Sequence, residues 1–422
     1  MSENGYDLVV FGATSFVGRL LADYLLRTYG VGQDLTWAIA GRSESRLESL
    51  RKELGTAADD LPVIVADASD ENALKAMCDQ TGVVISTVGP YALFGEPLIK
   101  VCAETGTDYC DLTGEVQWLR EMIHKYQATA ESSGARIVNC CGFDSIPSDL
   151  GVYFIQQEAQ TRFGQPLTCV KMRVKAAKGE FSGGTVASLL NVVKEASSNP
   201  ELRKELANPY SVCPPNHGFT ARQPNVKSAE YDRDFQAWTA PFVMAAINTR
   251  VVHRSNALSD KAYGADFRYD EAMMTGRGLK GRVAALGVTG ALGGFMVGAA
   301  VRPTRWLLER FVVPKPGEGP LRRRRRRAFR PAFLWRDPGW RVPVGQGHRR
   351  SGSRVRLHLQ DAWTGRGLSC QGPGGWRAPG GSGRRRPPWM GSFWSVFGPI
   401  PGCSLNCSMT DRGWSGGISL PQ

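Results

Sequence analysis

The strongest constraint in this chain is a glycine turn set between an apolar run and a helix-period segment near the N-terminus. The order is Tyr6-Asp-Leu-Val-Val-Phe11, then Gly12-Ala-Thr-Ser-Phe-Val-Gly18, then Arg19-Leu-Leu-Ala-Asp-Tyr-Leu-Leu26. The short apolar run fits a strand covered on both faces, and Leu20, Leu21, Tyr24 and Leu25 give the helix one apolar face. Gly12 permits the sharp turn, and Gly18 lets the helix pack closely on the strand. Thr14, Ser15, Phe16 and Val17 complete the loop and the first helical turn, whose N–H groups favour a pyrophosphate. Ser15 stands where dinucleotide loops place their middle glycine, so an ordinary strand-to-helix turn is the competing reading of this segment alone.

The following units sharpen the reading. Leu35–Ala40 predicts a second strand ending in Gly41-Arg42-Ser43, where an NAD-binding chain would place an acidic residue for the ribose 2′-hydroxyl. A guanidinium and a hydroxyl there suit the 2′-phosphate of NADP, the alternative being that Arg42 caps a solvated strand end. Val63–Asp67 predicts a third strand, with Asp67 placed to accept from the adenine amine. Val83–Pro90 predicts a fourth, whose Gly89-Pro90 turn falls where ligands bind in open α/β sheets. Strand and helix alternate over residues 1–150, which predicts an α/β fold with a doubly wound parallel sheet.

Charge divides the chain. Residues 321–422 hold 19 Arg, no Lys, 3 Asp and no Glu, a net of +16, so residues 1–320 are slightly acidic. An arginine arm for nucleic acid is one reading of that tail. Its seven Trp, dense Gly and Pro and lack of apolar period instead suggest G/C-rich DNA translated out of frame after about Pro320, so the tail is expected to be disordered and no nucleic-acid partner is assigned. The ten cysteines lack Cys-x-x-Cys spacing, which argues against a zinc site or a disulfide framework. The opening residues have no secretory pattern, so a cytoplasmic location is expected.

Several separate segments resemble the saccharopine dehydrogenase-like oxidoreductases, and within them the trans-acting enoyl reductases. They are Gly12–Gly18, Ala40-Gly-Arg42, Val88-Gly-Pro-Tyr91, Gly106-Thr-Asp-Tyr109, Asp111-Leu-Thr-Gly-Glu115 and Cys141-Gly-Phe-Asp-Ser-Ile-Pro-Ser-Asp149. The likeness continues through Ser182–Ala187, Asn248–Leu258, Tyr263-Gly264 and Pro314–Pro320. It implies a Rossmann-like NADP-binding domain over residues 1–150 and an α+β substrate domain over residues 151–320. It also implies reduction of an enoyl double bond on a lipid- or thioester-linked intermediate, in trans to a synthase partner. The family continues past Pro320 with a Lys- and Glu-containing segment, and this chain departs there.

In the substrate half, Val170–Ala176 alternates apolar and charged residues as a half-buried strand does. The segment Ser182–Thr185 introduces a helix, and Asn248–Ser255 reads as a strand with Arg250 and Arg254 on a solvated face. Residues 283–301 carry no charge, and their Gly and Ala content favours a helix that docks on the protein or lies at a membrane surface, such as the inner face of the plasma membrane, over one that spans it. Candidate catalytic groups are Tyr91, Tyr109 and Asp144, with Ser145 as a further donor and Asp111 as an orienter. The competing roles are a core aromatic for Tyr109 and a turn cap for Asp144. Two other functions stay open: a saccharopine-type amino-acid dehydrogenase, which would need clustered arginines, and a non-catalytic nucleotide-binding, lipid-associated scaffold.

Overall fold

A computed structural model describes residues 5–32, 35–178, 183–311, 328–336, 354–359, 368–371, 404–410 and 413–419. The chain forms two compact units: Met1–Asp144, Glu180–Val212 and Met296–Arg322 make the first, and Ser145–Gly179, Cys213–Phe295 and Arg323–Gln422 the second.

The first unit opens with β1 (Tyr6–Phe11), α1 (Phe16–Tyr29), β2 (Trp37–Gly41), α2 (Glu44–Leu54), β3 (Val63–Val65), α3 (Glu71–Cys78) and β4 (Thr81–Ser86). It continues with α4 (Tyr91–Phe94), α5 (Glu96–Thr105), β5 (Asp108–Asp111), α6 (Val116–Ser133) and β6 (Ile137–Val138). The six strands lie in the order β3-β2-β1-β4-β5-β6, and every neighbouring pair is parallel. Because successive side chains on a strand point to opposite faces, the sheet builds two cores. Val9, Phe11, Ala38, Ala40 and Val84 meet α3, α5 and α6 on one face. Leu8, Val10, Trp37, Ile39 and Ile85 meet α1 and α2 on the other.

The rotation of α1 differs from the sequence expectation. Gly18, Ala22, Leu25 and Leu26 are buried, whereas Leu20 and Tyr24 point outward, 40% and 45% exposed. A Cβ on Gly18 would overlap the carbonyl of Gly12 and come within 2.7 Å of Ala13 Cα, so the smallest residue sets which face meets the sheet.

The second unit begins with α7 (Ile146–Phe163) and β7 (Cys169–Lys178). The chain then returns to the first unit for α8 (Gly183–Ser198) and α9 (Pro200–Ala207); of the two residues available to cap α8, Ser182 lies outside the described residues and Thr185 falls inside the helix. Next come β8 (Glu230–Asp232), β9 (Ala237–Pro241), α10 (Ala245–Leu258), β10 (Arg268–Gly276), α11 (Gly278–Ala300) and α12 (Arg302–Phe311). Strand β7 runs parallel to β10, which pairs antiparallel with β9, and β9 with β8. Of the tail, five segments are described, as β11 (Ala328–Arg336), β12 (Arg354–Leu359), β13 (Leu368–Gln371), β14 (Ser404–Thr410) and β15 (Gly413–Ser419), with β11 antiparallel to β7.

Residues 248–255, expected as a strand, belong to helix α10. The β-branched Val251-Val252 pair misleads there, because tertiary packing of Asn248, Val252 and Asn256, four residues apart, overrides local propensity. Arg250 is accordingly buried rather than solvated.

Strand β7 alternates as expected, with Val170, Met172 and Val174 in the core against α7. Its charged side is enclosed at Arg173 and partly at Lys171, while Lys175 is exposed. Arg173 is 1% exposed and pairs with Asp232 at 2.8 Å and Asp270 at 2.7 Å, while Lys171 pairs with Asp234 at 2.8 Å. A buried guanidinium persists only when its charge and its donors are met, and two carboxylates do so here. Removing it strands both acids, so Arg173→Ala should lower unfolding stability by about 3–5 kcal/mol. Urea denaturation measures this; a change inside the usual range for surface substitutions would contradict it.

Candidate cofactor and substrate site

In the first unit, strand order reverses between β1 and β4, and the crevice outside their carboxyl ends is where open α/β sheets bind nucleotides. Gly12 follows β1 with φ +81, and a Cβ there would sit 2.7 Å from Val88 Cγ2 and 2.9 Å from Thr87 Oγ1. The missing side chain therefore lets the loop after β4 close onto the β1 turn. Ser15, the unusual middle residue of the loop, turns its hydroxyl inward. Its Oγ accepts from Gly18 N at 2.9 Å, capping α1, and lies 2.9 Å from Thr87 Oγ1. Thr87 Oγ1 in turn donates to Gly12 O at 2.8 Å. The loops after β1 and β4 are thus locked together, and the start of α1, at Phe16 and Val17, faces the crevice with the partial positive charge of a helix N-terminus. Thr14 lies in the same loop, and its carbonyl accepts from Arg19 Nε at 3.2 Å. These residues fit a dinucleotide pyrophosphate.

At the end of β2, Arg42 is exposed and Ser43 precedes α2 without a side-chain cap bond. Asp67, beyond β3, accepts from the amide of Ser69 at 2.9 Å and from its hydroxyl at 2.7 Å. These bonds, and more weakly the Arg42 charge, hold its carboxyl below the usual range. Arg42 and Asp67 therefore share one rim of the sheet, with the cation free of a β2-terminal acid that would repel a 2′-phosphate. On the other side of the switch point, Gly89 and Pro90 lead into α4 through a cis peptide bond.

The two tyrosines proposed as catalytic donors do not face the crevice. Tyr91 is buried, donating its hydroxyl to Ser86 O at 3.1 Å and stacking on Trp118 at 5.4 Å between centroids. Tyr109 is buried in the same core and donates to Asp111 Oδ2 at 2.9 Å. Burial, reinforced by the charge of Asp111, raises both phenols well above their ordinary range, so neither is poised to give up a proton. Asp144 is exposed in the turn that follows β6, on the carboxyl side of the sheet.

What the sequence reading undervalued is a pair of carboxylates. Asp111 accepts from the amides of Thr113 and Cys140, the side-chain amide of Asn139 and the phenol of Tyr109. Cys140 reaches it by adopting φ 62, a left-handed conformation uncommon outside glycine. Burial pushes Asp111 up to about 6 despite these four donors. Glu115 accepts from the amides of Tyr91 at 2.7 Å and Ala92 at 3.1 Å and from Ser188 Oγ at 2.8 Å, so it caps α4 and pins the turn at Gly89 and Pro90. The sequence signal for both is the segment Asp111–Glu115, which mixes acids and hydroxyls at the end of an apolar strand.

In the second unit, Ser145 and Ser148 belong to a second buried network. Ser145 Oγ donates to Asn248 Oδ1 at 2.8 Å, and Asn248 Nδ2 donates to Ser148 Oγ at 3.1 Å and to Glu271 Oε2 at 3.0 Å. Tyr269 completes it by donating to Glu271 Oε1 at 2.7 Å. Ser145 is therefore an architectural donor, and two segments of the family pattern, 141–149 and 248–258, meet at Asn248. Burial pushes Glu271 from its ordinary 4.5 up to about 7.

Two outcomes are expected. Arg42→Ala should weaken NADPH by about ten- to a hundredfold, as loss of one or two bonds to a charged phosphate predicts, and leave NADH nearly unchanged. Titration by nicotinamide fluorescence checks this, and equal losses for both nucleotides would remove the 2′-phosphate role. Glu271 holds its proton more tightly folded than unfolded, so it makes the chain lose stability as pH rises from about 4.5 to about 7. Glu271→Gln should make that part of the stability curve less steep, leaving the slope due to Asp111 and Asp149, which burial raises to about 6 each; an unchanged urea midpoint profile would refute it.

A family model described as the saccharopine dehydrogenase NADP binding domain matches residues 8–138. A Mycobacterium tuberculosis (strain H37Rv) protein named among the trans-acting enoyl reductases is 44% identical over 333 residues, covering 77% of this chain and 78% of that protein. Another from the same strain, named trans-acting enoyl reductase, is 40% identical over 338 residues, covering 77% and 79%. Among solved structures, apo saccharopine dehydrogenase (L-Glu forming) from Saccharomyces cerevisiae aligns with 87% of this chain and 86% of its own at 14% identity and a TM-score of 0.42. With these relatives and an NADP-binding domain at the switch-point crevice, the chain belongs to the saccharopine dehydrogenase-like family as an NADP-dependent oxidoreductase of the trans-acting enoyl reductase branch.

Proposed function

We propose that this oxidoreductase reduces the carbon–carbon double bond of an enoyl thioester on a lipid-building intermediate handed to it by a separate synthase. The reading is supported by the NADP-type crevice with Arg42 at its β2 rim, in a chain whose relatives are named for enoyl reduction in trans.

Enoyl reduction needs a hydride at the β-carbon, polarisation of the thioester carbonyl and a proton at the α-carbon. When bound, NADPH supplies the hydride. Gly12 and Gly18 let the β1 turn, the loop after β4 and α1 pack closely, and Thr14, Ser15, Phe16 and Val17 would frame the pyrophosphate at the start of α1. Arg42 and Ser43 take the 2′-phosphate, Asp67 the adenine amine, and the Gly89–Pro90 turn walls the crevice beside β4. Asp144 is the remaining candidate from the sequence for handling the proton, since its carboxyl is exposed whereas the phenols of Tyr91 and Tyr109 are enclosed.

The test is consumption of NADPH by the full chain with an enoyl thioester, against the saturated thioester as blank. Turnover with NADPH at least about tenfold faster than with NADH is expected, matching the loss predicted for Arg42. Tight NADPH binding with no turnover on any enoyl or carbonyl thioester would replace this reading with that of a nucleotide-binding scaffold. Loss of turnover in Asp144→Asn with NADPH affinity intact would support the proton role; full activity would remove it.

A further inference from the structure

Helix α11 has its polarity inverted relative to a surface helix of a water-soluble protein. Gly281, Ala285 and Ala299 are buried, and Leu292 and Phe295 half-buried, so one narrow stripe of the helix is covered. The opposite side carries Leu279, Val283, Leu286, Val297 and Val301, which recur at helical spacing. They are not tucked away: Leu279 is 75%, Val283 61%, Leu286 55% and Val297 67% exposed. Only 11% of the apolar window of this helix is buried. An exposed apolar patch of this extent marks an interaction surface.

Charge identifies what would cover it. Between Glu271 and Glu309 the sequence has no acidic residue, while Arg277, Lys280 and Arg282 stand at the start of α11 and Arg302 and Arg305 at the start of α12. Arg277, Lys280 and Arg282 are exposed, and Arg282 sits over the Trp238 ring at 5.4 Å. Trp306 and Leu307 on α12 are again exposed, 57% and 48%. An apolar strip bracketed by cations at both ends, with an indole beside the second group, matches the acyl boundary and the anionic headgroups of a phospholipid surface. The stripe from Gly281 to Ala299 is covered by protein, which leaves one apolar side with cations at its ends, the layout of a helix lying in an interface.

We propose that the outer face of α11, continued by Trp306 and Leu307 of α12, docks the protein onto an anionic phospholipid surface, lying in its interface rather than crossing it. This stands apart from the choice of substrate and does not depend on it.

The experiment is flotation of the full chain with phosphatidylcholine vesicles, with and without phosphatidylglycerol. Partition should require phosphatidylglycerol and fall with added salt. Leu286→Glu combined with Val297→Glu should cut partition by about tenfold or more, because each substitution forfeits burial of an apolar side chain. Neutralising the arginines at 322–327 should leave most of the binding. NADPH affinity equal to that of the unaltered chain shows that the double variant is folded. A photocrosslinking side chain at position 286, in an otherwise unaltered chain, should label lipid. The proposal fails if the double variant floats like the parent chain, if binding follows the 322–327 arginines instead, if the chain ignores anionic vesicles, or if position 286 crosslinks a second copy of the chain.

Discussion

The nucleotide-binding unit is referred throughout to one contact, the approach of α1 to the end of β1. Gly18 lies against the backbone of Gly12 and Ala13 so closely that no other residue fits. The same turn is bonded sideways to both neighbouring strands. Gly12 N donates to Ala40 O at 2.9 Å on the β2 side, and Thr87 N donates to Phe11 O at 2.9 Å on the β4 side. The crevice is therefore rigid before any ligand arrives, and the entropic cost of ordering a loop on binding is avoided.

Much of this was legible in the residues. The apolar runs at 6–11 and 35–40 mark β1 and β2, because a strand covered on both faces has no polar period to hide it, and the run at 63–67 marks the edge strand β3. The glycine pattern located the crevice. Apolar size alone points to the wrong face of α1, where close packing decides: Leu20 and Tyr24 outrank Gly18 and Ala22 in hydrophobicity yet are too large to meet β1. Residues 248–255 failed in another way, since Val251 and Val252 favour a strand locally and only long-range contacts of Asn248 with Ser145, Ser148 and Glu271 require a helix.

The polar residues that looked most chemical turned out to do two different kinds of work. Tyr91, Tyr109, Asp111 and Ser145 are enclosed in networks that satisfy one another, which is how buried polar groups become tolerable and how they specify a single arrangement of the chain. Arg42, Asp67 and Asp144 remain accessible at strand ends and turns. Exposure divides these two sets, and exposure depends on tertiary packing that neither spacing nor residue type encodes.

Glu115 has a mechanical consequence. One of its oxygens receives Ser188 of α8 and the amide of Tyr91 together, and the other receives the amide of Ala92. Helix α8 and the Gly89–Pro90 turn are thus coupled like two links on one pin. Removing that one carboxylate would release Ser188 of α8 and the two amides that shape the wall of the nucleotide crevice in the same event.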